Sequence, residues 1–396
     1  MRALVAAGGW FPDYVGGTER VVRATAEALA KRGHQVIAIV PQAGNEPKVS
    51  SVNGIQLRRV IRRSRLPLTI TDVYEMRRAI RATSSDDFDL VLAHGAGYAV
   101  AALLARSRTP VAFVFHASGF REARQRRSLG LPTLEWWSSY AVEPFLYVLE
   151  RLALRYADRI LVLSEFSRRL VLEIDPSIES RIQVVGGGVD IGNFTPAHDR
   201  EALRQAVGIA NDETVLMTAR RLVSRMGIEM LLDAFCELHK RQGDIQLVVA
   251  GDGELRVQLE GQRDRLGLGG AVKFVGRISD AELRNWYRVA DLFVLPTIAY
   301  EGFGMVTAEA LACGTPVVAT PVGATSEILT PLDGGLMAES VDARSLASAI
   351  ERALARTGMT LRIDCHEYAR DHLAWDIIIG RWESALEELQ AATALA

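Results

Sequence analysis

"AYEGFGMVTAEALACGTPVVATPVG", residues 299–323, sets Glu301 and Glu309 on either side of a glycine-bracketed phenylalanine. Just before it, "DLFVL" at 291–295 reads as a buried strand that Pro296 ends. "EGFG" is then a loop leading into a helix over about 304–312, and "PVVA" at 316–319 is the next strand. Strand, glycine loop, helix and strand make one unit of a parallel α/β sheet. Gly302 and Gly304 lack a Cβ, so backbone amides there can lie directly against a ligand. The helix start behind them offers unpaired amides and the positive end of a dipole, a seat for phosphate. A carboxylate at Glu301, at the mouth of the loop, can accept from sugar hydroxyls but would repel a phosphate. Glu309, inside the helix, can accept from two adjacent ribose hydroxyls. The two acids therefore need not form an acid/base pair; they can hold opposite ends of one nucleotide sugar.

The same alternation runs outward in both directions. Upstream, short β-branched runs at 2–7, 35–40, 89–93, 110–115, 159–163 and 182–185 read as strands, and a helix over 17–32 stops at Gly33-His34. "GGGVDIGNFTPAHD", 186–199, is a connection rich in glycine. Beyond it the pattern restarts, with strands at 214–219, 245–250, 271–275, 291–295 and 316–319. The reading is two doubly wound parallel-sheet (Rossmann-like) domains, 1–190 and 191–373, facing a central cleft. A terminal helix over 374–396 packs back on the first. Such sheets bind ligands beyond their strand carboxyl ends.

At 396 residues the chain exceeds one ordinary core, which agrees with two domains. A net charge of −2 gives no reason to expect nucleic acid. Cys236, Cys313 and Cys365 are odd in number and set in apolar runs, as reduced core thiols would be in a cytoplasmic protein. No signal peptide and no apolar run of membrane-spanning length is read. Positive charge is concentrated: residues 48–130 carry 15 Lys/Arg against 6 Asp/Glu. Two clusters stand out, "RRVIRRSR" at 58–65 and the stretch 121–137, where Arg121 to Arg127 precede Leu129, Leu131, Trp136 and Trp137. Each reads either as a solvated face or, for 121–137, as a peripheral membrane patch suited to a lipid-linked acceptor.

"EGFGMVTAE" resembles the E-x7-E signature of the family 4 retaining glycosyltransferases, which have the GT-B fold. The resemblance covers nearly the whole chain, through "FPDYVGGTERVVRATAEALAKRGHQV", "ILVLSEFSRRLV", "IQVVGGGVDIGNF", "ARRLVSRMGIEMLLDAF", "LVVAGDGEL" and "VKFVGRISDAEL". The family's usual Asn-Gly before Val-Asp is Gly187-Gly188 here. The resemblance implies that Gly16 and Gly17 close over the donor diphosphate. It implies that Glu301, with the Phe303 and Gly304 backbone, holds donor-sugar hydroxyls, that the Met305 and Val306 amides contact phosphate, and that Glu309 contacts ribose. Arg221 matches the family's diphosphate-binding Arg, and His116 matches the His near donor sugar and acceptor. Gly251 and Arg277 lie in loops that frame the nucleotide. His94, on the same rim as His116, reads either as a structural histidine or as part of the acceptor site, and "GDGE" at 251–254 reads first as a turn.

The chain departs from the family where a Lys usually follows the diphosphate Arg by five residues: Met226 stands there. A thioether cannot neutralise a departing diphosphate, and one such charge-stabilising donor is worth roughly 3–4 kcal/mol by analogy with oxyanion holes. Arg220 and Arg225 are the cations at hand, with Arg220 turned inward as the preferred reading. No metal-ligand cluster of the Asp-x-Asp kind ends a strand, so metal independence is expected, and the resemblance implies a retaining glycosyltransferase without a cofactor. It would use a nucleotide-diphosphate sugar, UDP- or GDP-linked, and a sugar, lipid-linked or small-molecule acceptor, in envelope polysaccharide or glycolipid assembly. The rivals are a nucleotide-sugar epimerase or hydrolase on the same fold and a non-catalytic GT-B partner subunit, which Met226 makes conceivable.

Overall fold

The computed structural model describes residues 1–14, 16–61, 69–83, 88–106, 108–124 and 143–393, together with the backbone of 125–128, 134–142 and 394. It divides into two units: Met1–Gly187 with Ile378–Ala396, and Gly188–Ile377.

In the first unit the apolar runs form β1 (Arg2–Ala7), β2 (Gln35–Pro41), β3 (Val49–Val52), β4 (Ile55–Val60), β5 (Leu90–His94), β6 (Val111–Phe115), β7 (Arg159–Val162) and β8 (Ile182–Val184). Their order in one sheet is β3-β4-β2-β1-β5-β6-β7-β8, parallel throughout except for β3 against β4. β5 and β6 are buried along their whole length, which is why they read as unbroken apolar runs. The first helix, Gly17–Lys31, buries Val21, Val22, Thr25, Ala26 and Leu29, one stripe at helical spacing. It ends where Gly33 takes φ +90°: His34 N–H reaches Leu29 O and Gly33 N–H reaches Ala30 O, which satisfies two end carbonyls.

The β3–β4 hairpin is absent from the strands expected above. Asn53 (φ 49°) and Gly54 (φ 82°) form its two-residue turn with both residues left-handed, the geometry that matches the twist of the flanking strands. Arg58 and Arg59, expected to lie on a solvated face, belong to β4 instead. Arg59 is buried and pairs with Asp13 at 2.9 Å, and Arg58 donates to Thr83 Oγ1 at 2.9 Å. Arg62, Arg63 and Arg65 of that cluster lie outside the described residues.

The second unit has five parallel strands, each within a residue or two of its expected place: β9 (Thr214–Ala219), β10 (Ile245–Ala250), β11 (Val272–Gly276), β12 (Leu292–Leu295) and β13 (Val317–Ala319). Their order is β11-β10-β9-β12-β13. The chain winds outward from β9 in one direction and then returns to start again at β12. A crevice therefore opens at the carboxyl ends of β9 and β12, where the loops leave in opposite directions. The equivalent point in the first unit lies between β1 and β5.

The C-terminal helix, Trp375–Ala394, is tied to the first unit by Glu383, which pairs with Arg32 at 2.6 Å and with His34 at 2.6 Å. His34 is thus a tertiary partner of the C-terminal helix. Cys236, Cys313 and Cys365 are buried and unpaired; burial pushes the Cys313 and Cys365 thiols up to about 12. No described helix is long and apolar enough to cross a membrane.

Candidate active site

The loop after β12 supplies Thr297 and Glu301, and the first residue after β9 is Arg220. These three converge at the switch point of the second unit. Arg220 Nη2 donates to Glu301 Oε2 at 2.5 Å, Arg220 Nη1 donates to Thr297 Oγ1 at 2.6 Å, and Thr297 Oγ1 donates to the same Oε2 at 3.2 Å. The Arg220 side chain is 5% exposed and that of Glu301 is 12% exposed, so this is a largely desolvated pair. Glu301 Oε1 has no partner among the described residues. The carboxylate is gripped from one side and open on the other.

Backbone packing fixes that geometry. A Cβ on Gly251 (φ +124°) would stand 1.9 Å from Arg220 O, one on Gly227 (φ +70°) 1.9 Å from Pro296 O, and one on Gly323 (φ +68°) 2.2 Å from Glu301 O. Each glycine lets one strand-end loop lie against another, so the loops after β9, β10, β12 and β13 stack main chain on main chain. Gly304, left-handed at φ 88°, starts the helix Met305–Ala312 without a side-chain cap. The Met305 and Val306 amides in its first turn have no carbonyl behind them within the helix. Phe303 is buried beside this start. Glu309 lies one turn further in, 2% exposed, and takes a hydrogen bond from Tyr287 Oη at 3.1 Å.

The cations near this loop differ in kind. Arg220 turns inward, but its charge is matched by Glu301. Arg225 donates to Tyr300 O at 3.1 Å. Arg221 is exposed and has no side-chain partner among the described residues. Arg277 extends into solvent, 3.8 Å from Asp252. Met226 is buried in the apolar core with Leu222, Ile228 and Leu231, so its thioether does not stand where a lysine ammonium would serve an anion.

In the first unit the glycine loop after β1 is pinned by Arg59 on Asp13 and by close packing of Gly8 on Tyr98, whose ring lies 3.1 Å from where a Cβ would sit. Gly16 stands just before the first helix, and Gly17 opens it in an exposed position. His116 follows β6, and its Nε2 lies 2.9 Å from Nδ1 of His94, the last residue of β5. Burial holds His116 down at about 4; it holds His94 well below the usual histidine range too, with His116 as a second, smaller cause. Both rings are neutral at pH 7. Two residues beyond His116, Ser118 and the amides of Gly119 and Phe120 favour the charged form of the Glu150 carboxyl, but burial outweighs them and pushes it up to about 7, and Oε1 has no hydrogen-bond partner among the described residues. Glu150 is a titratable group that no local pattern in the sequence marks.

Of the patch at 121–137, Arg121 pairs with Glu173 at 2.8 Å; the side chains of Arg126, Arg127, Leu129, Leu131, Trp136 and Trp137 lie outside the described residues. Thr297, Tyr287 and the pairing of His94 with His116 also went unread. Each gains meaning only through a partner distant in sequence.

Two doubly wound units, each with polar groups gathered at its switch point, define a GT-B architecture. The model of glycosyl transferases group 1 matches residues 199–372, and that of Glycosyltransferase Family 4 matches residues 15–193. The chain belongs to this family of glycosyltransferases. An uncharacterized glycosyltransferase of Methanocaldococcus jannaschii is 26% identical over 358 residues, covering 88% of this chain and 87% of that protein. D-inositol 3-phosphate glycosyltransferase of Mycobacterium sp. (strain KMS) is 34% identical over 218 residues, or 54% of this chain and 48% of that protein. The solved sucrose-phosphate synthase from Thermosynechococcus elongatus shares the fold with a TM-score of 0.81 at 23% identity, covering 99% of this chain and 100% of that one.

Proposed function

We propose that the chain transfers a glycosyl group from a nucleotide-diphosphate sugar to an acceptor hydroxyl with retention and without a metal ion. One observation carries this reading: Glu301 is fixed by Arg220 and Thr297 through Oε2 while Oε1 stays open, directly beside the uncapped helix start at Gly304. An open carboxylate oxygen suits a sugar hydroxyl, and free amides suit phosphate, so donor sugar and diphosphate have adjacent seats of the right sign. Glu309 would take ribose hydroxyls, and Gly251 and Arg277 would border the base side. The loop of Gly16 and Gly17 would cover the diphosphate. With Met226 in the core, the exposed Arg221 carries the charge that builds on the leaving diphosphate.

His116 is neutral at pH 7 and acts as a hydrogen-bonding group toward the reacting oxygens. The acceptor proton then passes to a leaving phosphate oxygen, on the same sugar face as the bond that breaks. Glu301 serves as a hydroxyl ligand, and its tie to Arg220 argues against a nucleophilic role. The second unit is assigned to the donor and the first to the acceptor. The inositol-phosphate relative supports a small phosphorylated polyol among the acceptors to try, alongside lipid-linked and polysaccharide acceptors of envelope assembly.

A thermal-shift series with UDP, GDP, ADP and dTDP tests the donor reading, because a ligand of the native state raises its melting point. At 100 times Kd the native state gains about 2.7 kcal/mol, so a clear rise with one nucleotide is expected. No rise with any of the four at saturating concentration overturns it. Incubating donor sugar alone, followed by NMR, separates transfer from epimerisation: the donor must persist until an acceptor is added.

A further inference from the structure

His94 stands outside the assigned donor and acceptor groups, yet its surroundings are unusually specific. It is 1% exposed at the end of β5, and two rings lie near it at small angles: His116 at 5.2 Å and 23°, and Trp382 of the C-terminal helix at 6.3 Å and 14°. Trp382 is fully buried and donates Nε1–H to Gly186 O at 3.0 Å, so that side of the stack is fixed. Nδ1 of His94 faces Nε2 of His116 at 2.9 Å, and Nε2 of His94 is buried without a partner among the described residues.

Two neutral arrangements satisfy the 2.9 Å contact. If His116 donates from Nε2, then His94 must carry its own proton on Nε2, which leaves a buried N–H with no acceptor. If His94 donates from Nδ1, the unmet atom is a lone pair, and His116 is left protonated on Nδ1. In the backbone, orphaned buried N–H donors are rarer than under-satisfied carbonyl acceptors, and by analogy an unmet ring lone pair costs less than an unmet ring N–H. The second arrangement is the better one.

We infer that His94 is a positioning residue: its Nδ1–H donates to His116 Nε2, locks His116 as the Nδ1–H tautomer, and so makes His116 a hydrogen-bond donor toward a ligand oxygen. His116 has no partner for Nδ1 among the described residues, so that N–H is available. The C-terminal helix takes part through Trp382, whose buried indole lies nearly parallel to the His94 ring at 6.3 Å. The inference rests on the proposed function only for the identity of the ligand oxygen, a donor-sugar or acceptor hydroxyl. The tautomer itself is a property of the unliganded chain.

The decisive experiment is long-range ¹H–¹⁵N correlation on the full chain with ¹⁵N-labelled histidine, with the His116→Gln variant used to assign the His116 signals. The expected spectrum shows a pyrrole-type Nδ1 and an imine-type Nε2 for His116, unchanged from pH 6 to 8. A pyrrole-type Nε2 on His116 overturns the inference, whatever reaction the chain catalyses. A second arm uses His94→Phe, which keeps the stack on Trp382 but removes the hydrogen bond, and His94→Gln, whose amide can still donate. His94→Phe should release His116 to a mixture of tautomers and lower kcat about 10- to 100-fold, by analogy with metal-bound histidines that lose an orienting partner, with nucleotide affinity unchanged. His94→Gln should recover part of the loss. Equal kcat in wild type and His94→Phe also sinks the inference. If no nucleotide sugar is turned over at all, the spectrum still decides the tautomer, so the two readings fail separately.

Discussion

The two switch points solve the same problem with opposite electrostatics. In the second unit, Arg220 and Glu301 are both largely buried and are joined at 2.5 Å, so charge is kept and paired. In the first, His94 and His116 are joined at 2.9 Å and held neutral, and Glu150 nearby is held toward its protonated form. Their supports differ as well. Glycines let main-chain loops stack around Arg220 and Glu301, whereas an aromatic ring from the far end of the chain backs the histidines. A departing diphosphate needs fixed charge beside it, while an uncharged hydroxyl needs oriented donors. The contrast agrees with the proposed division into donor and acceptor sides.

Breaking the charged side should have the largest effect. Glu301→Ala leaves Arg220 buried without its carboxylate, and loss of one member of a buried pair typically costs about 3–5 kcal/mol. Urea denaturation should show a drop of that size, with transfer abolished. Glu301→Gln keeps the shape and one acceptor for Arg220, so it should recover much of the stability and little of the activity. Equal stability in both variants would mean that the pair is not a structural element of the site.

Glycine substitutions come next and test the difference in support. Gly251→Ala puts a methyl 1.9 Å from the carbonyl of Arg220 in a left-handed backbone, so the two loops must part. It should cost about 3 kcal/mol and weaken nucleotide binding in the thermal-shift series. Gly54→Ala, in the hairpin turn of the first unit, is left-handed too but meets nothing within 4 Å. It should cost only about 1 kcal/mol. A ranking in the other order would show that the loops of the second unit are not held by close backbone approach.

These contrasts were unequally legible in the sequence. The five strands of the second unit are apolar runs ended by glycine, proline or charge, so each could be placed from its own residues. The β3–β4 hairpin could not, because "VSSVNGIQLRRV" is short and polar on one face, although Asn53-Gly54 is a strong turn signal. "EGFG" stands out as a candidate ligand loop, since a glycine frame around an acid is a local pattern. What it could not convey is that Oε2 of Glu301 is already occupied: Arg220 lies 81 residues away and meets it only through the β9–β12 crossing. Met226 shows the same limit. Its spacing from Arg221 suggested a place in the site, and the core claimed the side chain instead. Glu150 sits in a long helix where nothing distinguishes it from a solvated acid until Ser118 and Gly119 close over it.

The neutral side can be read through pH. Glu150 keeps its proton in the folded chain up to about 7, while an unfolded carboxyl loses it near 4.5. Between these values the unfolded state binds fewer protons, so this group lowers stability as pH rises, and the full cost is reached above about 7. At about 1.4 kcal/mol per pH unit, the difference is on the order of 3.5 kcal/mol. Glu150→Gln should remove that slope in denaturation measured from pH 4.5 to 8. His116 works in the opposite sense. Its folded value of about 4 against 6.5 unfolded gives stability that is present above pH 6.5 and lost as pH falls toward 4. Over the shared window the two slopes oppose, and Glu150→Gln should unmask a steeper acid-side loss. An unchanged slope in the variant would place the Glu150 carboxyl in contact with water.

The smallest change in stability should come from Arg221→Ala, and it separates two neighbouring arginines that sequence alone treats alike. Arg220 has its counter-charge inside the protein. Arg221 is exposed, makes no side-chain bond among the described residues, and so contributes nothing to the fold that truncation would remove. Its loss should change unfolding free energy by no more than about 0.5 kcal/mol, the ordinary range for a surface position. If it faces the leaving diphosphate, transfer should nevertheless fall about 100-fold or more, the usual cost of losing one charge-stabilising donor. Arg221→Lys should restore part of the rate, because a point charge without the guanidinium fork still neutralises a phosphate. Unaltered transfer in Arg221→Ala would hand the leaving-group charge to Arg225 and the helix amides. The donor side would then rely on main chain more heavily than on any free cation.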